Sequence, residues 1–344
     1  MAHPFRLAIV GCGRISGAHA VAAIASPSIE LAALVDPVEQ RARSLAERVG
    51  ASPLIATSIR ELHGRVDGVV IATPNHTHAD LACECLAAGF HTLIEKPLAA
   101  SVVDGERILR LASDTQRVVA VGYVTRFREN VQFMADLLRH GYFGEVRRFA
   151  YQFGSRGGWA PLSAYNLDRR LTGGGVLVVT GTHFIDRMLD WFGYPDELEL
   201  ADDSLGGPEA NAVATFRFRR GGMPLSGVAR FSKSVALDAG VVLDTARGMV
   251  VLVDRPDASV VVRPHETPGL ETVVRPRLEG PPLVRTTEFG RQLEDFVRAC
   301  RGGVPVVSGE QGLLSLRLIE ALYARRRPLS EDWYAVAALQ GSPA

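Results

Sequence analysis

Two glycines two positions apart end a short apolar run and open a segment of helical character, in the order Gly11-Cys12-Gly13-Arg14-Ile15-Ser16-Gly17. The first glycine permits a tight turn. The second lets the backbone approach a pyrophosphate, which then rests on the helix N-terminus. Ser16 takes the third place of this fingerprint, where glycine or alanine is usual, and is small enough for close helix–strand packing. Asp36 closes the next apolar run, 23 residues after Gly13. A carboxylate there can accept from both hydroxyls of an adenosine ribose and would repel a 2′-phosphate. NAD is therefore expected over NADP, with Arg41 and Arg43 close enough in sequence to leave NADP open. A helix-capping role for Asp36 ahead of Pro37 is compatible with that reading.

A second candidate is Glu95-Lys96-Pro97, which stops the fourth apolar run at the strand end where open α/β sheets bind ligands. The chain holds 38 basic residues, of which only Lys96 and Lys233 are lysines. Arginine stays protonated, whereas lysine can be tuned to exchange a proton, so lysine at position 96 carries information. Lys233 is read as chance. The proline implies a fixed turn that aims the lysine.

The elements that must position these groups alternate over the first third of the chain. Apolar runs at Phe5–Val10, Ile29–Val35, 69–72, 92–94 and 118–121 are separated by helical segments at 14–24, 38–49, 76–88 and 104–112. Strands apolar throughout, with helices between them, imply a parallel sheet covered on both faces, and hence a doubly wound α/β domain. Beyond residue 124 the pattern changes. A helix at 129–140 is followed by strands at 146–153, 212–219, 225–231, 241–244, 249–254 and 259–262, with a helix over 176–192. This predicts a large, mainly antiparallel open sheet. Two amphipathic helices, at 287–301 and 309–325, close the chain, and the proline-rich stretch 264–282 reads as loop. The expected domains are 1–124 and 125–344, with the C-terminal helices able to pack back on the first.

Composition narrows the function classes. The 344 residues suit two domains at about 150 residues each. Formal net charge is zero, from 38 basic and 38 acidic residues, so no global field favours nucleic acid or an anionic membrane. The opening apolar run is too short for a signal peptide, and a cytoplasmic location is expected. Cys83 and Cys85, two apart, point to different sides of a helix, and no metal site is expected.

The chain resembles the Gfo/Idh/MocA oxidoreductases, the glucose–fructose oxidoreductase and inositol dehydrogenase family. The resemblance rests on Gly11-Cys12-Gly13-Arg14-Ile15 with His19, on Ala72-Thr73-Pro74-Asn75-His76-Thr77-His78, and on Glu95-Lys96-Pro97. It continues through Gly122-Tyr123, Arg126-Phe127, and Gly173-Gly174-Gly175 followed by His183 and Asp186. It implies a Rossmann domain followed by an α/β domain whose open sheet forms homo-oligomer contacts, in a dimer or tetramer. It also implies that Gly11, Gly13, Arg14, Ile15, Asp36, Thr73, Asn75, His78, Glu95, Lys96 and Arg126 hold the cofactor. Lys96 and His183 would be the catalytic pair. Where the family usually has an aspartate one helical turn before the histidine, this chain has Val179, which can neither accept a hydrogen bond nor take a proton. Thr180 and Asp186 lie three residues either side of His183 and could contact its ring.

The implied reaction is NAD(P)-dependent hydride transfer at a hydroxyl or keto carbon of a sugar, inositol or sugar derivative. Tyr123, Trp159, Tyr165, Asp168, Thr180 and His183 are the expected substrate contacts, an aromatic and hydrogen-bonding set suited to a sugar ring. Arg156 and Arg170 fall in the same stretch. Two alternatives differ in class. One is an NAD-dependent enzyme that cleaves a glycoside by transient ring oxidation and elimination. The other is a non-catalytic dinucleotide-sensing regulator, against which the retained Lys96 and His183 argue.

Overall fold

The computed structural model describes residues 3–157, 168–204, 207–220, 223–276 and 287–330. The chain opens with β1 (Phe5–Val10), α1 (Ser16–Ala25), β2 (Ile29–Val35), α2 (Glu39–Val49), β3 (Leu54–Ala56) and β4 (Gly68–Ile71). There follow α3 (His78–Ala87), β5 (His91–Glu95), α4 (Val102–Thr115), β6 (Val119–Gly122), α5 (Glu129–Arg139), β7 (Val146–Gly154), α6 (Arg169–Thr172) and α7 (Thr182–Phe192). Seven strands come next: β8 (Glu197–Asp202), β9 (Asn211–Arg220), β10 (Met223–Ser232), β11 (Leu237–Thr245), β12 (Gly248–Val253), β13 (Val260–Pro264) and β14 (Thr272–Val274). The last described elements are α8 (Glu288–Cys300), α9 (Gly309–Ala324) and β15 (Arg326–Pro328). Among the described residues no helix is long and apolar enough to cross a membrane.

The chain divides into two compact units. The first holds Met1–Phe127, Leu171–Gly173 and Pro281–Arg317, and the second holds Arg128–Arg170, Gly174–Gly280 and Leu318–Ala344.

The first unit is the doubly wound domain that the alternation predicts. Its six strands are all parallel in the order β3-β2-β1-β4-β5-β6, so the direction of winding reverses between β1 and β4. A ligand crevice at the carboxyl ends of the strands follows from that reversal. β1 shows why the sheet is covered on both sides. Its Ala8 and Val10 enter a core with Val69, Ile71, Ile94 and Ile108, while Leu7 and Ile9 enter another with Ala20, Leu34, Leu45, Leu293 and Phe296. Helix α8 therefore belongs to the packing of this sheet. Two expectations are corrected here. The sheet has six strands, because three-residue β3 is too short to give a periodic signal, so Lys96 follows the fifth strand. Helix α1 starts at Ser16, whose hydroxyl donates to Gly13 O at 2.5 Å, and Arg14 lies in the preceding turn.

The second unit is built on a nine-stranded sheet in the order β14-β13-β12-β11-β7-β10-β9-β8-β15. Its pairs are antiparallel except β7 with β10 and β8 with β15. One face buries Phe149, Tyr151, Phe216, Phe218 and Phe231 against Phe184, Ile185, Met188 and Phe192 of α7. On the other face Ala150, Val213, Thr215, Val228, Val242 and Val251 are only half-buried. β8 is a strand beyond those expected, and its Leu198 and Leu200 alternate with glutamates as a half-buried strand requires. β14 lies inside the stretch read as loop.

Helix α7 differs from expectation at its start. The continuous helix predicted over 176–192 begins instead with a wide π turn, Leu177–Gly181, whose hydrogen bonds run from i to i+5. Val179 and Thr180 both lie in that turn.

Candidate active site

The first unit gathers most of the expected cofactor residues at the carboxyl ends of β1, β2, β4 and β5. Gly11 has φ +90°, and a Cβ there would lie 2.6 Å from Thr73 Cγ2 and 2.7 Å from Ala72 O, so no side chain fits. A Cβ on Gly13 would meet nothing within 4 Å. Among the described residues, helix α1 has no side-chain cap at Ile15. Open space beside a helix N-terminus suits a phosphate. Arg14 and Ile15 are exposed beside it.

Asp36 is buried, its side chain 6% exposed. It accepts from Cys12 N at 2.9 Å and from Val38 N at 2.9 Å, tying the glycine turn to the end of β2. Each oxygen keeps a lone pair for an incoming hydroxyl. The N-cap of α2 is Val38, so Asp36 does not cap that helix by itself.

The Lys96 turn is braced from several sides. Glu95 is buried and receives His19 Nε2 at 2.7 Å and Lys96 N at 3.2 Å. Burial pushes the Glu95 carboxyl up, but His19 and Lys96 outweigh it and hold it below the ordinary carboxylate range. A Cβ on Gly122 of the neighbouring β6 would sit 2.9 Å from Glu95 Cα, so glycine is needed there for the carboxylate to lie flat. The Lys96–Pro97 peptide is cis, and Lys96 is half-buried.

Of the remaining cofactor candidates, Thr73 is half-buried and Asn75, His78 and Arg126 are buried. Asn75 donates to Thr172 O at 3.1 Å, and the Thr73 hydroxyl pairs with Thr77 at 2.7 Å. The His78 ring is fully buried, between the carbonyls of Pro97 and Thr73, and touches the site through backbone alone. Arg126 is 6% exposed, in a short helical turn. Tyr123, expected against substrate, has no exposed surface and packs into the core with Phe127 and Leu98.

In the second unit His183 lies half-buried in the first turn of α7, next to the wide turn that carries Val179 and Thr180, while Asp186 is 2% exposed. Asp168 forms a surface pair with Arg170 at 2.8 Å, which holds its carboxyl below the ordinary range. Trp159 and Tyr165 lie outside the described residues.

Sequence reasoning missed Glu209 and Tyr323. Buried Glu209 accepts from Gly175 N at 2.9 Å, Leu177 N at 3.0 Å and the Tyr323 hydroxyl at 2.7 Å. Burial pushes its carboxyl up against those three donors. A Cβ on Gly175 would fall 2.1 Å from Glu209 O. The glycine run is thus the seat of an acid that fastens the start of the His183 helix. A lone Glu209 in a loop, more than thirty residues from the backbone it binds, left no periodic signal.

A model of the oxidoreductase family's NAD-binding Rossmann fold matches residues 5–123, and one of that family's C-terminal alpha/beta domain matches residues 135–235. The chain belongs to the Gfo/Idh/MocA oxidoreductase family. Among its relatives, the rhizopine catabolism protein MocA of Rhizobium meliloti is 29% identical over 307 residues, 88% of each chain. The inositol 2-dehydrogenase of Rhizobium meliloti (strain 1021) is 26% identical over 337 residues, covering 92% of this chain and 95% of that one. An inositol dehydrogenase homolog from Azotobacter vinelandii, solved as a complex with NAD+, shares the fold. Its TM-score is 0.82 at 22% identity, over 94% of this chain and 96% of that one. As a Gfo/Idh/MocA protein the chain is an oxidoreductase with an NAD-binding Rossmann domain, and the open Gly13 turn, the uncapped α1 and Asp36 fit that cofactor.

Proposed function

We propose that this oxidoreductase transfers hydride between NAD and a hydroxyl- or keto-bearing carbon of a sugar, inositol or related polyol. The observation that carries the reading is Lys96, on a turn braced by Glu95 and His19, at the carboxyl edge of the sheet that presents the Gly11–Gly13 turn. Relatives named as inositol 2-dehydrogenases support the substrate class.

NAD, when bound, supplies the hydride acceptor. Lys96 stabilises the oxyanion that develops as the hydride leaves. His183 takes the hydroxyl proton as general base, and for carbonyl reduction returns it. With Val179 in place of a carboxylate, the imidazole works without an acidic neighbour at that position, and Thr180 or Asp186 is left to orient it. We expect His183→Ala to lower kcat about 10²-fold with little change in NAD affinity. An unchanged pH–rate profile in that variant would exclude the base role.

Asp36 sets the cofactor preference in this reading. Asp36→Asn removes the charge that opposes a 2′-phosphate, a repulsion of about 1–4 kcal/mol near the surface. The preference for NAD over NADP should narrow about tenfold or more by calorimetry, and an unchanged ratio refutes the assignment. The half-buried outer face of the second unit's sheet is the surface we assign to a second copy of the chain. A monomer mass by sedimentation overturns it.

A screen of sugars, inositols and sugar derivatives with NAD, read at the NADH absorbance, tests the function. Substrate-dependent NADH formation supports the reading. Substrate turnover with retained NAD, no net NADH and release of the aglycone instead favours transient ring oxidation with elimination.

A further inference from the structure

His78 stands at the start of α3 with its ring fully buried. Nδ1 lies 2.8 Å from Pro97 O, and Nε2 lies 3.0 Å from Thr73 O. Both partners are carbonyl oxygens, which only accept. A neutral imidazole carries one N–H, so it can satisfy one of them and must turn a lone pair toward the other. Only the imidazolium donates to both. Flipping the ring would put carbon against each oxygen and lose both hydrogen bonds.

The charges around the ring are mixed. Burial, the largest influence, pulls the ring below the ordinary imidazole value toward the neutral form, and Lys96 adds to that, while the two carbonyls and the Glu95 carboxylate favour the cation. Glu95 is itself bonded to His19. The neutral ring, however, would hold two lone pairs about 3 Å apart in a space without exposed surface, where an unmet polar contact is costly.

We propose that His78 is a positioning residue held as an imidazolium, a strut between the turn at Thr73 and the turn that carries Lys96. Thr73 packs against the Gly11 turn, within 2.6 Å of where a Cβ would be. Pro97 is the residue after Lys96. One side chain thus spaces the cofactor-side turn from the ammonium, and its second N–H sets that spacing. The role given to the strut in turnover rests on the function proposed for Lys96; the charge of the ring does not.

The test is nitrogen-15 NMR of the histidine rings in the full chain, with the His78 signals assigned by their loss in His78→Gln. Two ring N–H signals for His78 that persist above pH 7, where exposed imidazoles have lost one, support the strut. A single N–H overturns it whatever the variant's activity. In His78→Gln, one nitrogen cannot reach both carbonyls, and we expect kcat to fall about 10²-fold with the NAD dissociation constant nearly unchanged. Wild-type kcat in that variant also overturns the proposal. Should Lys96→Met retain full turnover, the function reading fails, and the ring signals still decide this one.

Discussion

Lys96→Met should lower kcat about 10²–10⁴-fold while the NAD dissociation constant stays near its wild-type value. Methionine keeps a flexible unbranched stem, so the packing of the half-buried side chain is largely retained and the ammonium alone is lost. The turn itself is held by groups the substitution leaves in place: Glu95 with His19, the Glu95 contact with Lys96 N, and the glycine at 122. An interaction made only as the oxyanion develops raises kcat without tightening the ground state, so the loss should fall on kcat and kcat/KM together. Lys96→Arg should not restore activity, because a planar guanidinium does not fit the place of a compact ammonium. Steady-state kinetics with calorimetry of NAD checks both statements. Normal turnover in Lys96→Met would remove the lysine from the chemistry.

The largest expected stability loss lies in the second unit, at Asp254. Its side chain is 8% exposed and accepts from Arg187 at 2.8 Å, Arg128 at 2.6 Å and the Tyr151 hydroxyl at 2.8 Å. The Arg187 side chain is 3% exposed, and its guanidinium lies 5.4 Å from the Tyr151 ring centroid. Asp254→Ala would leave that guanidinium buried without its anion, a change that costs about 3–5 kcal/mol. A lowered denaturant midpoint at constant m-value measures it. The double change Asp254→Leu with Arg187→Met should cost less than the single one, since it is the stranded charge that destabilises. Equal losses in the two would show that the ion pair is not the cause.

Asp254 also fixes an acid dependence. Burial raises its carboxyl, but the charges and hydrogen bonds of Arg187, with Tyr151 and Arg128, outweigh it and hold the group well below its ordinary 3.8. A folded-state value below the unfolded one stabilises the fold fully above the unfolded value, and that stabilisation is lost as pH falls toward the folded one. The wild type should therefore lose stability progressively below about pH 5, and Asp254→Ala should lose less over the same range.

The sequence made some of this legible and not the rest, for identifiable reasons. Apolar runs such as Ile29–Val35 and Phe5–Val10 mark strands buried on both faces, and both appear with those bounds. The glycine turn, Asp36 and Glu95-Lys96-Pro97 were visible because each sits at a strand end, where local signals are strong. Three-residue β3 and β15 were not, since pairing with a neighbour, not pattern, makes them strands. The burial of Tyr123 and His78 was hidden for a related reason. Both residue types are compatible with either a ligand or a core, and only packing distinguishes the two. Glu209 and Tyr323 act on the start of the His183 helix from remote parts of the chain, which one-dimensional spacing does not report.

The wide turn at Leu177–Gly181 lies between two anchors. On one side Glu209 grips the N–H groups of Gly175 and Leu177; on the other Phe184, Met188 and Phe192 are keyed into the sheet. A π turn holds one residue more than an α turn, so deleting a single residue between them would return the segment to ordinary helical winding with both anchors kept in register. His183 and the residues after it would keep their face, and the bulged backbone beside them would be lost. The surplus residue is thus carried without turning the imidazole away from its aim.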